Sequence, residues 1–257
     1  GFLRYERDLE TMPATVYIGI GHVKRFPDYW ELFSADNGPT GSINAFKGVE
    51  PEKTTQIDIG AQYKSKNLQA WISAYAGVVQ DFILFDYKTG GMMGSSTTAR
   101  NVDASIMGGE LGVTYQISPE WQTGSTVAYA WGRNRTDGGP LPQIPPLEAR
   151  FNLSYEKGPW AVGALWRLVA SQHRTAVDKG NVVGKDFGSS AGFGTLSLNG
   201  SYAFSKQVKL TVGVDNVFNK LYSEHLNLAG NSGFGFSSNT PVTEPGRSAW
   251  ARLSIKF

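Results

Sequence analysis

The sequence predicts an all-β chain, a transmembrane antiparallel β-barrel segment of about ten strands with long extracellular loops and short periplasmic turns. Three observations carry this reading. First, residues 249–257 alternate: Ala249, Ala251, Leu253, Ile255 and Phe257 share one side, and Trp250, Arg252, Ser254 and Lys256 share the other. A period of two is a strand with one apolar and one polar face. Second, the connections between strand patterns alternate strictly between short and long, as in outer-membrane barrels, whereas a sandwich mixes loop lengths at both ends. Third, the hydrophobic fraction is only 40% and mean hydropathy is −0.26. No apolar run reaches the roughly 18 residues of a spanning helix. A barrel with a watery lumen has such hydropathy, because every second residue of each strand faces water.

The strands fall in order at about 14–24, 54–64, 68–86, 104–117, 121–133, 147–155, 160–172, 193–204, 208–216 and 247–257. In 54–64, Ile57, Ile59, Ala61 and Tyr63 oppose Gln56, Asp58 and Gln62. In 104–117, Leu111, Val113, Tyr115 and Ile117 oppose Glu110, Thr114 and Gln116. In 147–155, Leu147, Ala149, Phe151, Leu153 and Tyr155 oppose Glu148, Arg150, Asn152 and Ser154. In 208–216, Val208, Leu210, Val212 and Val214 oppose Lys209, Thr211 and Asp215. The stretches 68–86 and 121–133 carry small residues on both sides, so their faces stay open.

Short connections at 65–67, 118–120, 156–159 and 205–207 hold Ser, Asn, Gly and Pro, which is turn chemistry. Long ones at about 25–53, 87–103, 134–146, 173–192 and 217–246 are rich in Gly, Ser, Asn and Pro. If Phe257 lies at the periplasmic face, every short turn falls on that side and every long loop outside. Residues 2–7 then read as the tail of an earlier descending strand and 8–13 as its turn, so the chain is expected to be the C-terminal piece of a larger barrel.

Aromatic residues make up 12% of the chain, in keeping with interfacial girdles. The 31 Gly suit tight turns and crowded lumen positions. With 0 Cys there is neither a disulfide framework nor a thiolate metal site in these residues. The net charge of +2 and the lack of a basic tract point away from nucleic acid.

Several stretches resemble the C-terminal half of TonB-dependent outer-membrane receptors. Arg25-Phe26-Pro27-Asp28-Tyr29-Trp30-Glu31-Leu32-Phe33 looks like that family's R-x-P-x-x-x-E-L, and Val49-Glu50-Pro51-Glu52-Lys53-Thr54 like its L-x-P-E-x-S/T. Asn101-Val102-Asp103 with Gly109-Glu110-Leu111 is similar to N-x-x-x-A-x-x-x-G-x-E-L. Val214-Asp215-Asn216-Val217-Phe218-Asn219-Lys220-Leu221-Tyr222 gives the strongest match, to V-x-N-L-F-D-K-x-Y. Ser223-Glu224-His225-Leu226-Asn227, Glu244-Pro245-Gly246-Arg247 and the proline-rich stretch from Pro140 to Glu148 resemble the TonB-dependent copper receptors. The resemblance implies a 22-stranded barrel of which residues 1–257 hold about the last ten strands. It also implies a plug domain and a TonB box outside these residues, and transport energised by the TonB complex. Leu253, Ile255 and the terminal Phe257 resemble the closure and insertion signal read by the barrel-insertion machinery. The expected surroundings are outer-membrane lipid and lipopolysaccharide, and the expected state is a monomer.

Charged residues at Asp58, Glu110, Glu148, Arg150, Arg167, Lys209, Asp215, Arg252 and Lys256 should face the lumen. An outward Lys or Arg near mid-bilayer costs about 2–4 kcal/mol. They serve either as a polar conduit or as solvated cross-strand ion pairs. For copper, the expected transported ligand, Cu(I) prefers thioether and imidazole donors. The candidates are Met92, Met93, His173 and His225, all in expected outer loops. No built-in cofactor is expected, and no catalytic constellation stands out: the P-loop, H-E-x-x-H and EF-hand patterns are absent. Three readings follow: a copper receptor, a receptor for a siderophore or other chelate, and, in another class, a self-contained passive pore or barrel enzyme.

Overall fold

The computed structural model describes residues 1–34, 44–45, 48–91, 94–229 and 239–256. Met92, Met93 and Phe257 lie outside the described residues. In chain order the elements are β1 (Phe2–Asp8), β2 (Ala14–Arg25), α1 (Tyr29–Leu32), β3 (Phe33–Ser34), β4 (Asn44–Ala45), β5 (Glu52–Lys64), β6 (Leu68–Gly91) and β7 (Gly94–Gln116). They continue as β8 (Trp121–Asn134), β9 (Glu148–Lys157), β10 (Trp160–Val169), β11 (Lys179–Gly180), β12 (Phe193–Ala203), β13 (Val208–Asp215) and β14 (Ser248–Ile255).

Eleven strands form one antiparallel meander in the order β1-β2-β5-β6-β7-β8-β9-β10-β12-β13-β14, with β11 added beside the outer part of β6. Each strand pairs with its neighbour in sequence along this path, and the sheet stays open between β1 and β14 among the described residues. This is the all-β barrel architecture that the alternation predicts.

The register sorts the side chains onto two faces. Gln56, Asp58, Tyr75, Glu110, Glu148, Arg150, Arg167, Asp215 and Arg252 share one face, as the cross-strand partners Asp58↔Tyr75, Arg167↔Arg150 and Thr211↔Arg252 require. Eight of the nine charged positions assigned to the lumen by alternation lie on this side; Lys256 follows the last residue of β14. The other face is an apolar belt. Ile59, Ile72 and Leu253 on it are 51%, 55% and 58% exposed, which a water-facing sheet would not tolerate over eleven strands but hydrocarbon does. Tyr63, Tyr115, Trp121, Tyr155, Trp160 and Tyr202 line its short-turn end. Trp121 meets Tyr155 at 4.8 Å between ring centroids, and Trp160 meets Tyr202 at 4.6 Å. Amphipathic rings at that height form one girdle.

Serine shapes three of the short turns. Ser118 Oγ accepts from the amides of Glu120 (3.3 Å) and Trp121 (3.2 Å), and Ser205 Oγ from those of Gln207 and Val208 (both 3.1 Å). Ser65 Oγ accepts from Leu68 at 3.3 Å. These local bonds stand in for ladder bonds that the reversal interrupts.

One expectation is corrected. Most of 87–103, expected to be a long loop, is strand: β6 runs to Gly91 and β7 starts at Gly94, with Tyr87 opposite Thr97 and Lys88 opposite Ser96. Pairing to a neighbour satisfies this backbone where no lipid-facing pattern marks it. A bulge between Val79 and Phe82, with Asp81 at φ 59°, bends β6 where the membrane-crossing part gives way to the projecting part. Smaller shifts trim the strand expected at 160–172 to Val169 and extend that at 54–64 back to Glu52.

The buried apolar clusters are small and sit under the outer loops. Val79, Ala104 and Leu141 form one, and Ile83, Phe85 and Ala99 the other.

Candidate functional site

The residues that carry the family resemblance meet at the outer rim, where they act as fasteners. Arg25, at the end of β2, donates to both carboxylate oxygens of Glu31 (2.7 and 2.9 Å) and to Glu52 (2.7 Å). Glu31 is buried because α1 turns it inward: Asp28 caps the helix by accepting from the Glu31 amide at 2.9 Å, and Glu31 accepts from the Asp28 amide in return. Glu52 also accepts from the Ile83 amide at 2.8 Å. Asn101 holds the neighbouring segment by donating to the carbonyls of Glu50 (2.9 Å) and Asp81 (2.6 Å) and accepting from the Glu50 amide (2.7 Å). Past β13, Asn216 and Asn219 adopt φ of 50° and 52°, a left-handed turn that Asn tolerates. The Asn216 side chain bridges Lys220 N and O at 2.8 Å each, and Asn219 Oδ1 accepts from the Arg247 amide at 2.9 Å.

Asp186 joins three of the outer connections. It is fully buried, and its carboxylate accepts from the Gln143 amide (2.8 Å), Gln143 Nε2 (3.2 Å) and the Ala176 amide (2.8 Å). His225, 6% exposed, approaches from the β13–β14 connection. Its Nδ1 is 3.1 Å from Ser190 Oγ, and its Nε2 lies 3.7 Å from Asp186 Oδ1 without a hydrogen-bond partner. Burial pushes the His225 imidazole below its ordinary pKa, with the Asp186 charge pulling the other way. Beside this hub, Asp137 takes Arg100 (2.6 Å) and Lys179 (3.0 Å). The Arg100 guanidinium holds the Asp137 carboxyl well below the usual carboxylate range.

On the lumen wall below, Arg167 on β10 donates to Glu148 on β9 at 2.6 Å and to both carboxylate oxygens of Glu224. Glu224 thereby ties the residue next to His225 down to the barrel wall. A pocket of about 420 Å³ lies alongside, with Trp71, Tyr75, Glu110, Glu148 and Arg150 on the wall and Pro145 and Pro146 over it from the β8–β9 connection. Glu110, Glu148 and Arg150 set charged groups into a lining that is otherwise mostly apolar.

The structure therefore separates the candidate donors. His173 is exposed on the β10–β12 connection; His225 is enclosed and already engaged; Met92 and Met93 lie outside the described residues. No group of three His, Asp or Glu among the described residues is arranged to hold a metal ion. Sequence reading missed Asp186. A lone acid between Lys185 and Phe187 has no motif, and its partner Gln143 is 43 positions away.

A family model described as "TonB dependent receptor-like, beta-barrel" matches residues 3–217. Among solved structures the chain is similar to the copper transporter OprC, at 62% identity and a TM-score of 0.93 over 100% of this chain and 39% of that one. It is also similar to the ferric enterobactin receptor PfeA of Pseudomonas aeruginosa, at 20% identity and TM-score 0.74 over 100% of this chain and 40% of that one. The pyoverdine outer membrane receptor FpvA of Pseudomonas aeruginosa PAO1 follows at 16% and 0.67, over 100% and 36%. The last two likenesses show the fold alone. No curated protein sequence matches. The chain spans about two fifths of the length of these structures. With a fastened outer rim, a charged inner wall and an apolar outer belt, the chain belongs to the TonB-dependent receptor β-barrel family of the outer membrane.

Proposed function

We propose that residues 1–257 are the C-terminal part of the barrel of a receptor that takes up copper, as ion or complex, with energy from the TonB complex. The observation that carries this is the 62% identity to a copper transporter over the whole chain, against 16–20% for receptors of iron chelates. In this reading the chain supplies the lumen wall and the outer rim, while the plug and the TonB-contacting segment belong to the rest of the receptor. It works as a transporter, not an enzyme, and as a monomer among outer-membrane lipid and lipopolysaccharide. Leu253 and Ile255, outward on β14, fit a closing strand presented to the insertion machinery together with Phe257.

The mechanism asks little covalent chemistry of these residues. Cargo admitted at the rim passes an inner wall whose carboxylates and guanidinium groups keep water and counter-ions in place, so a cation does not have to shed its hydration into an apolar wall. The decisive experiment is on the full-length receptor. Copper bound per mole is measured after loading with Cu(I) or Cu(II), and uptake is compared in cells with and without TonB. Retained copper and TonB-dependent uptake support the reading. No copper under either condition, with uptake of an iron chelate instead, replaces it by the siderophore reading. The paired substitutions Met92→Ala and Met93→Ala, followed by His173→Ala, locate the donors. Unchanged copper affinity in all of them removes loop capture by residues 1–257.

A further inference from the structure

We propose that the outward face at the short-turn end holds one phospholipid of the periplasmic leaflet, with an acyl chain lying in a groove over Ala14, Ala61 and Ala70 and the phosphate at Arg7. The groove, of about 440 Å³, is lined almost wholly by apolar atoms. The register makes it. Ala14 pairs with Tyr63, Tyr63 with Ala70, and Ala61 with both Val16 and Ile72, so small side chains from three adjacent strands leave a valley on one face. Leu9 and Met12, from the β1–β2 turn, raise one wall of it, and Ile72 belongs to the other.

Arg7 supplies the polar end. It is exposed on the outward face of β1, directly opposite Val16, which itself lines the groove. Its side chain makes no hydrogen bond or ion pair among the described residues, on a strand that forms one open edge of the sheet. The neighbouring acids are occupied elsewhere: Glu6 pairs with Arg4 at 2.6 Å, and Asp8 accepts from Thr15 at 2.5 Å, both on the lumen face. Glu10, in the turn, has no bond to Arg7. An outward Arg at mid-bilayer is costly, while near the interface the cost falls to about 0–1 kcal/mol. Arg7 is one residue from the strand's short-turn end, so its guanidinium reaches the headgroup level by extending along the surface. There it meets phosphate, for which a planar, bidentate donor is well suited. Short turns face the periplasm, so the lipid comes from the inner leaflet of the membrane and not from lipopolysaccharide. The inference rests on the membrane placement of the sheet and is independent of the cargo.

The test uses the full-length receptor in mild detergent, stripped of bulk lipid, titrated with phosphatidylglycerol and read by native mass spectrometry. The parent protein should retain one phospholipid through stripping. Arg7→Gln should weaken retention about tenfold, the loss of a charge-assisted hydrogen bond. Ala61→Leu and Ala70→Leu, which fill the valley, should abolish it, with copper binding unchanged. Heat-modifiable electrophoretic mobility reports folding of each variant, and Arg7→Gln stands alone if the valley variants misfold. Equal retention by parent and Arg7→Gln overturns the proposal, as does retention of lipopolysaccharide or of an acylated protein in the lipid's place.

Discussion

Trp71 on β6 occupies the space above Gly112, its direct partner on β7, so that a Cβ at 112 would overlap the indole ring. The arrangement repeats on the lumen face. Tyr17 covers Gly60, Tyr75 covers Gly108 and Trp250 covers Gly213, each across one register pair. Glycine lets a large ring lie down along the wall instead of projecting into the lumen. Gly112→Ala should therefore cost about 1–3 kcal/mol, the usual range for overpacking. Adding Trp71→Leu should recover most of it, and Gly139→Ala, with open space around it, should be neutral. Denaturant unfolding of the full-length receptor in detergent checks all three.

The assignment of faces is tested by placing the same charge on each side of β5. Ile59→Arg puts a guanidinium into hydrocarbon and should cost about 2–4 kcal/mol. Gln56→Arg, on the lumen face, still meets Asp58, which Gln56 now contacts at 2.7 Å, and should fold normally. The yield of heat-modifiable protein distinguishes them. Equal yields would contradict the register.

Asp186→Ala leaves the Gln143 and Ala176 amides buried without their acceptor. An unmade buried bond costs about 1–3 kcal/mol. Hydrogen exchange should speed up by about tenfold or more in both 135–147 and 170–192, with the strands unaffected. Asp186→Asn keeps an acceptor oxygen and should show a smaller effect.

His225 makes the rim sensitive to acid. Its pKa in the folded protein lies below the unfolded value, so the unfolded loop binds the proton more readily. The stability it contributes is complete above the ordinary imidazole pKa of about 6.5 and is lost as pH falls from there through the folded value. Exchange of amides around 190 and 225 should accelerate between pH 7.5 and 5.5. His225→Gln should flatten that dependence.

Arg167→Met should leave Glu224 without its cation at the wall, facing Glu148, which keeps Arg150 at 2.5 Å. Removing one partner of a shielded ion pair is worse than removing both. Proteolytic cleavage near residue 224 should increase in the single variant, and Glu224→Leu added to it should reverse most of the change.

The parts of the fold legible in the sequence are those that touch lipid. Along β5, β9, β13 and β14 one side of the strand meets hydrocarbon and the other the lumen, so selection for two solvents writes a period of two. Above the membrane both sides of β6 and β7 meet water or other loops. Their Gly, Ser and Thr then read as a loop, and only the pairing of Tyr87 with Thr97 and of Asp86 with Lys179 makes them strand. The rim motifs were visible as motifs, but their roles were not. That Arg25 exists to hold Glu31 and Glu52, or Asn101 to hold Glu50 and Asp81, depends on contacts across up to 51 positions. Asp186 had neither motif nor pattern.

The long hairpin has a consequence in height. β6 has 24 residues and β7 has 23, while about 9–11 tilted residues cross the hydrocarbon. About a dozen residues of each strand remain, and at roughly 3.4 Å per residue and a barrel tilt they carry the hairpin's end on the order of 30 Å above the bilayer. At that height the hairpin's end is separated from the charged wall below by several Debye lengths of salt solution.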